Sequence, residues 1–305
     1  MNWLKLRYLA EYFCVRVVVC LLQMFPPEAL RGWARGMAWL FTFAAPVRKA
    51  VVEENLQIAF PKWSAERRTE CRRGMWEHLF LFIAEVAQAP RRIHITNYRD
   101  HIEFQNRDVF ARTMFDSRGV VFVTAHFGVF EMLGYNCGLT GFPNYSVART
   151  LDNPYLDAFV ARFRGATGQH LIDKEGGSEK MLQVLSQGGI VGVLADQYGG
   201  KKGCWVEFFG KPASTHKAIA LLALSNDVPL VVVSCIRTTG PMQFLQRAHA
   251  VFDPRTAPPE MQTVPAVTQW FTAEFEKFIR ETPEQYWWLH KRWKDHRKKK
   301  PTAAA

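Results

Sequence analysis

GVVFVTAH, residues 119–126, is the stretch on which the reading of this chain turns. A glycine opens it, apolar and β-branched residues fill it almost without polar interruption, and a histidine closes it. Such a run reads as a strand buried on both faces, the kind found in a sheet with helices above and below. FEMLGYNCGL, residues 130–139, follows with helical character. NYSVAR, residues 144–149, is a second strand, and a helix is expected over residues 153–164. GGIVGVLAD (188–196) and PLVVVSCIR (229–237) are two more near-continuous apolar strands, the latter preceded by a helical stretch over about residues 214–226. The chain up to about residue 86 reads as helical, as does 264–281. Strands alternating with helices of this length predict an α/β fold: a mixed sheet covered by helices on both faces.

Composition narrows the class. Of 305 residues, 48% are hydrophobic and 22% charged, which excludes a disordered tail, a collagen or a disulfide miniprotein. The balance of 39 Lys and Arg against 28 Asp and Glu leaves +11, pointing to a polyanionic partner such as nucleic acid, an anionic membrane surface or an acidic carrier. Aromatic residues reach 13%, which suits a membrane interface better than a DNA-binding module. No helix-turn-helix, RNP or zinc-finger pattern accompanies the charge, so nucleic acid is disfavoured. The six cysteines form no C-x-x-C pair and no zinc spacing, and read as thiols in a reducing compartment.

One segment approaches the apolar length of a membrane span: YLAEYFCVRVVVCLLQMF, residues 8–25, ended by Pro26 and Pro27. It carries Glu11, Arg16 and Gln23, and no small-x-small cleavage site precedes the prolines. Residues 29–52 hold Arg31, Arg35, Arg48 and Lys49 among Trp33, Trp39, Phe41 and Phe43. That mixture reads as a helix in the headgroup layer, with an ordinary core helix bearing a solvated basic face as the alternative. Membrane attachment is expected, with spanning and interfacial forms both open. Basic residues after the helix favour a cytoplasmic main domain.

No P-loop, G-x-G-x-x-G, G-x-S-x-G or H-E-x-x-H is present. What remains is His126 with Glu131 five residues later. The bare spacing also occurs at His170/Glu175 and His290/Asp295, and in a continuous helix residues five apart diverge by about 140°. His126 differs in closing a strand, with Gly128 easing the turn into a helix. From that position Glu131 is expected to reach back to the imidazole, leaving the other nitrogen facing a cleft at the carboxyl end of the sheet. No serine or cysteine nucleophile is singled out. General-base activation of an external hydroxyl is therefore the natural chemistry, the alternative being a histidine satisfied within the core.

These residues resemble a family. HFGVFE is similar to the block of the late lipid A acyltransferases, the lauroyl and myristoyl transferases of the lysophospholipid acyltransferase superfamily. Four further blocks occur in order: NLQIAFP (55–61), ADQ (195–197), FFGKPA with Thr215 (208–215), and PEQYWWLHKRWK (283–294). Lys291 stands where the family usually has Arg, and the E-G-T-R block of glycerophosphate-type relatives is missing, which argues against a glycerol-backbone acceptor. The resemblance implies a glycerolipid-acyltransferase-like fold and transfer from acyl carrier protein, or acyl-CoA, to a hydroxyl of a lipid A precursor at the cytoplasmic face of an inner membrane. Another glycolipid acceptor, such as a phosphatidylinositol mannoside, and thioester hydrolysis are the alternatives.

On this reading His126 is the base and Glu131 its orienting partner. Arg149 is the candidate for the oxyanion or a lipid phosphate, and Asp196 and Gln197 are candidates for orienting the acceptor. Neither a metal nor a cofactor is expected. The expected organisation is an anchor helix over 1–28, an acyltransferase domain over 29–295 and a basic tail over 296–305. The Lys and Arg residues between 291 and 300 would dock the acidic carrier or anionic lipid.

Overall fold

The computed structural model describes residues 3–173 and 176–294; the basic tail lies outside them. Four helices come first: α1 (Trp3–Met24), α2 (Pro27–Trp39), α3 (Lys49–Ala59) and α4 (Ala65–Arg92), with a π turn at Leu40–Ala44. Pro26 and Pro27 separate the first two, since proline starts a helix readily but cannot continue one. Then the alternation sets in: β1 (Ile102–Gln105), α5 (Arg107–Met114), β2 (Val120–Thr124), α6 (Glu131–Leu139), β3 (Asn144–Ala148), α7 (Pro154–Gly165), β4 (Gln169–Asp173), α8 (Ser178–Ser186) and β5 (Ile190–Leu194). A hairpin follows, β6 (Cys204–Phe208) and β7 (Lys211–Thr215), then α9 (Ala218–Asn226), β8 (Leu230–Arg237), β9 (Phe244–Phe252) and α10 (Val264–Glu281).

Seven strands form one sheet in the order β1-β9-β8-β2-β5-β3-β4. It is mixed: β8 and β9 pair antiparallel and the other neighbours are parallel. β2 lies at the centre, and every residue of it is buried. Its side chains alternate between two cores, as a period of two demands. Val121 and Val123 pack with Leu56, Met75, Phe271 and Phe275 on one face. Val120 and Phe122 pack with Phe82, Phe110, Met132 and Leu133 on the other. Helices therefore cover both faces, as the apolar run at 119–126 predicts.

The expected helix over 214–226 begins later, at Ala218. Residues 211–215 instead pair antiparallel with 204–208. Consecutive positive φ values at Phe209 (52°) and Gly210 (68°) make the tight hairpin turn that draws Ser214 and Thr215 into a strand. β1, β4, β6, β9, α5 and α8 have no counterpart in the sequence reading: β1, β4 and β6 are only four or five residues long, α5 and α8 eight and nine, and Gln246, Arg247 and His249 interrupt the apolar pattern of the longer β9.

The first helix lies along the body. Gln88 donates to the carbonyls of Leu22 and Phe25, both at 2.7 Å, and Asn153, the cap of α7, donates to the Tyr8 carbonyl at 2.9 Å. Among the described residues no helix is long and apolar enough to cross a membrane.

Candidate active site

The parallel register of β2 and β5 sets Thr124 opposite Leu194, and the Ala195 N–H continues the ladder to the Thr124 carbonyl at 2.9 Å. Two residues past each strand end, His126 and Asp196 come out side by side. Nδ1 of His126 lies 2.8 Å from Oδ1 of Asp196. The carboxylate, 4% exposed, also accepts from the His126 backbone N–H and from the Tyr286 hydroxyl. A carboxylate only accepts, so the imidazole proton sits on Nδ1 and Nε2 is left basic. Nε2 faces the Gln197 amide at 3.4 Å, in a cleft of about 170 Å³ that Trp287, Leu289, His290 and Arg48 complete.

Electrostatics follow from this packing. Burial pushes the His126 pKa down, but the charge and hydrogen bond of Asp196, with a further contribution from Glu131, outweigh it, and the net shift is upward. Burial likewise pushes Asp196 up, yet the His126 charge and the hydrogen bonds it receives hold the carboxyl below its usual range. Tyr286 is held well above its ordinary value by burial and by the Asp196 charge, so it remains a donor.

The turn carrying His126 is clamped from three directions. Its carbonyl accepts from the Trp287 N–H at 3.0 Å, and the Gly128 N–H donates to the Gln285 carbonyl at 2.9 Å. Gly128 has φ +59°, and a Cβ there would meet the Cys235 carbonyl oxygen at 2.0 Å, so glycine alone fits. Its own carbonyl accepts from Nε2 of His78 at 3.0 Å, while Nδ1 of His78 accepts from Arg237 at 2.8 Å. Arg237 in turn forms a forked ion pair with Glu85, both residues buried. Burial, then the Arg237 charge, hold His78 well below its ordinary pKa and hence neutral.

The C-terminal segment is pinned to distant parts of the chain. Asn55 donates to the carbonyls of Trp288 and His290, both at 2.7 Å. Arg292 donates to the Ser214 carbonyl at 2.6 Å and to Thr215 Oγ1 at 2.5 Å, and the Trp293 indole N–H to the Phe208 carbonyl at 3.1 Å. His290 accepts the Tyr198 N–H on Nε2 at 3.1 Å, which places its proton on Nδ1. The five motif blocks, scattered from Asn55 to Lys294, are thus tied together through the C-terminal segment, which itself supplies Trp287, Leu289 and His290 to the His126 cleft. Among the described residues no group of three or more His, Cys, Asp or Glu side chains could hold a metal ion.

The model of the bacterial lipid A biosynthesis acyltransferases matches residues 2–295. The chain belongs to that family. It is an acyltransferase of lipid A biosynthesis, mixed α/β in architecture. It is 26% identical over 253 residues to the lipid A biosynthesis lauroyltransferase of Escherichia coli, covering 81% of this chain and 79% of that one. Against the palmitoleoyltransferase of the same organism it is 26% identical over 256 residues, with the same coverage. A lipid A biosynthesis acyltransferase of Haemophilus influenzae is 24% identical over 288 residues, 92% of this chain and 87% of the relative. Among solved structures, the 1-acyl-sn-glycerophosphate acyltransferase PlsC of Thermotoga maritima is similar with a TM-score of 0.39 and 11% identity, covering 86% of this chain and 97% of that one.

Within this acyltransferase His126, Asp196 and Gln197 line the cleft, and Glu131 and Arg149 do not. The expectation that Glu131 reaches back to the imidazole is corrected: its carboxylate forms a forked ion pair with Arg164 near the end of α7, one bond at 3.0 Å. The reason is steric and topological. Nδ1 of His126 is already taken by Asp196 from the adjoining strand, and the first turn of α6 presents Glu131 to α7. Arg149 is 79% exposed at its side chain and pairs with Asp152 at 2.9 Å. The sequence reading names Arg48 only among the cations of the N-terminal stretch and His290 only for its spacing to Asp295, and assigns neither of them, nor Arg164, Tyr286, Trp287 or Leu289, to the site. The block at 283–294 held a signal for Tyr286, Trp287, Leu289 and His290; for Arg48 and Arg164 no pattern did.

Proposed function

We propose that this acyltransferase moves a fatty acyl chain from an acyl carrier protein or acyl-CoA thioester to a hydroxyl of a lipid A precursor, with His126 as general base. The observation that carries the mechanism is the 2.8 Å contact between Nδ1 of His126 and Asp196. It leaves Nε2 to take the hydroxyl proton as the oxygen attacks the thioester carbonyl. The tetrahedral adduct collapses with cleavage of the C–S bond, and the departing thiolate takes the proton from the imidazolium, which Asp196 stabilises throughout. Gln197, at 3.4 Å from Nε2, orients the acceptor hydroxyl. Glu131 acts through its charge on the imidazole and through its pair with Arg164.

The reading includes attachment to the cytoplasmic face of the inner membrane. Its support is an apolar surface on the N-terminal helices. Phe13, Val17 and Leu21 of α1 are exposed, as are Trp33, Trp39, Phe43 and Val47 beyond it, with Arg31, Arg35 and Lys49 among them. A surface of exposed aromatic and aliphatic groups interspersed with cations suits the headgroup layer, and α1 lying along the body suits interfacial rather than spanning attachment.

The test is acyl transfer by membranes containing the protein, using labelled carrier-protein thioesters and a Kdo-bearing lipid A precursor, with products weighed by mass spectrometry. An added acyl mass that disappears in His126→Ala is the expected result. Thioester loss without transfer, still dependent on His126, points to a hydrolase instead. Equal behaviour of wild type and variant overturns the mechanism.

A further inference from the structure

Arg48 lines the same cleft as His126 and Asp196, although it lies 78 positions before the histidine in the sequence. It is the cap of α3 and has φ 50° and ψ 26°, a left-handed conformation that residues other than Gly, Asn and Asp seldom adopt. Such geometry persists where surrounding contacts hold it, and it concentrates at ligand-binding positions. Here the Arg48 carbonyl accepts from the Val51 and Val52 N–H groups, and its side chain donates from Nη1 to the Leu289 carbonyl at 2.8 Å. Leu289 belongs to the segment that also supplies Trp287 and His290 to the cleft.

Of the other arginines close to the site, Arg164 pairs with Glu131 and Arg237 with Glu85, and the more distant Arg149 pairs with Asp152. Arg292, the other unpaired guanidinium near the site, is buried and directs its donors to the Ser214 carbonyl and Thr215 Oγ1. Among the described residues no carboxylate lies within ion-pair distance of Arg48, and its side chain is exposed where the cleft opens. Val47, next to it, is one of the exposed apolar residues of the N-terminal surface. A guanidinium with a single bond to a backbone carbonyl retains N–H donors in a planar fork, the geometry that suits a phosphate.

We propose that Arg48 is the anion-recognition residue of the cleft and receives a phosphate group of a bound substrate. This inference rests on the reading of the cleft as the acyl-transfer site. On that reading phosphate has two sources, the sugar phosphate of the acceptor and the phosphopantetheine arm of the donor. Both offer the same chemistry to the guanidinium.

Equilibrium titration of the purified full chain separates them without turnover. The probes are glucosamine 1-phosphate against glucosamine, and pantetheine 4′-phosphate against pantetheine, applied to wild type, Arg48→Gln and Arg48→Lys. Wild type is expected to prefer the phosphorylated member of one pair, and that pair names the source. Arg48→Gln should lose roughly 10- to 100-fold of the preference and Arg48→Lys should keep part of it, with the unphosphorylated probes unaffected. A wild type that prefers neither phosphorylated probe overturns the proposal, and so does a preference that survives in Arg48→Gln. Should Arg48→Gln fold poorly through loss of the Leu289 contact, Arg48→Lys decides: a reduced or lost phosphate preference in the folded lysine variant supports the guanidinium fork as the recognising group, and an unchanged preference overturns it. Because binding is read directly, an absence of acyl transfer in the separate activity assay indicts the proposed reaction and leaves this result standing.

Discussion

The carboxylate in contact with Nδ1 of His126 belongs to Asp196, 70 residues downstream, and sits 2.8 Å away on the adjoining strand end. Glu131, only five residues from the histidine, is held by Arg164 instead. Asp196 and Glu131 therefore have separate tasks, and substitutions should separate them.

Asp196→Asn should lower kcat by roughly 10²- to 10⁴-fold, because an amide can hold the ring in the wrong tautomer and cannot stabilise an imidazolium. The pH profile should move as well. His126 must be neutral to act as a base, and its pKa is raised above 6.5, so wild-type activity should climb with pH to an apparent pKa above that value. With the Asp196 charge gone, burial dominates and the acid limb should shift below 6.5. An unmoved limb in a folded variant would contradict the pairing.

Glu131→Gln should shift the same limb down by less, since its charge is a minor influence on His126. Its larger effect should be on stability. The side chains of Arg164 and Glu131 are 19% and 13% exposed, so stranding the arginine should cost about 1 to 3 kcal/mol, short of the 3 to 5 of a fully buried pair. Adding Arg164→Met should restore part of that loss in chemical denaturation, and a double-mutant cycle without coupling would refute it.

Gly128→Ala should be among the most damaging single changes. A Cβ 2.0 Å from the Cys235 carbonyl forces the turn to move, and φ +59° penalises alanine independently. A loss above about 3 kcal/mol with no measurable transfer is expected. His78→Ala removes the donor to Gly128 and the acceptor for Arg237, whereas His78→Gln offers both from one amide. The glutamine variant should recover stability and kcat relative to alanine, at unchanged KM.

Two neutral histidines should make the fold acid-sensitive. His78 and His249, the latter at 2.8 Å from Ser234 Oγ, have pKa values lowered by burial, His249 to about 4. Both would charge near 6.5 in the unfolded chain, so unfolding takes up protons below that pH. Their contribution is complete above 6.5 and is lost as pH falls, that of His249 toward 4. His249→Gln should remove up to about 1.4 kcal/mol per pH unit of that slope, read from denaturation midpoints between pH 7 and pH 4.

The N-terminal surface can be tested apart from catalysis. Trp39 and Phe43 are 58% and 51% exposed, and replacing both by Asp should weaken partitioning to vesicles of anionic lipid by tenfold or more while leaving the thermal transition in place. Equal partitioning of wild type and variant would remove these residues from the membrane contact.

The run at 119–126 carried the central strand, its burial on both faces and the strand-end histidine, because unbroken apolar β-branched residues have few other stable arrangements. α7 and α10 were legible for a similar reason: each begins at a cap followed by proline or a proline at the second turn position, Asn153–Pro154 and Thr263–Val264–Pro265, ahead of a long helical pattern. The edge strands β1 and β4 were not, since four or five residues with one buried face look like loop. The partner of His126 could not be read locally at all. It depends on β2 and β5 being parallel neighbours with Thr124 opposite Leu194, a register set by the packing of every helix on the sheet. Motif blocks name the residue types that acyl transfer uses. Which carboxylate touches the imidazole, and that Arg48 completes the cleft, are settled by strand order and chain crossings, because proximity between residues far apart in sequence is a property of the packed fold alone.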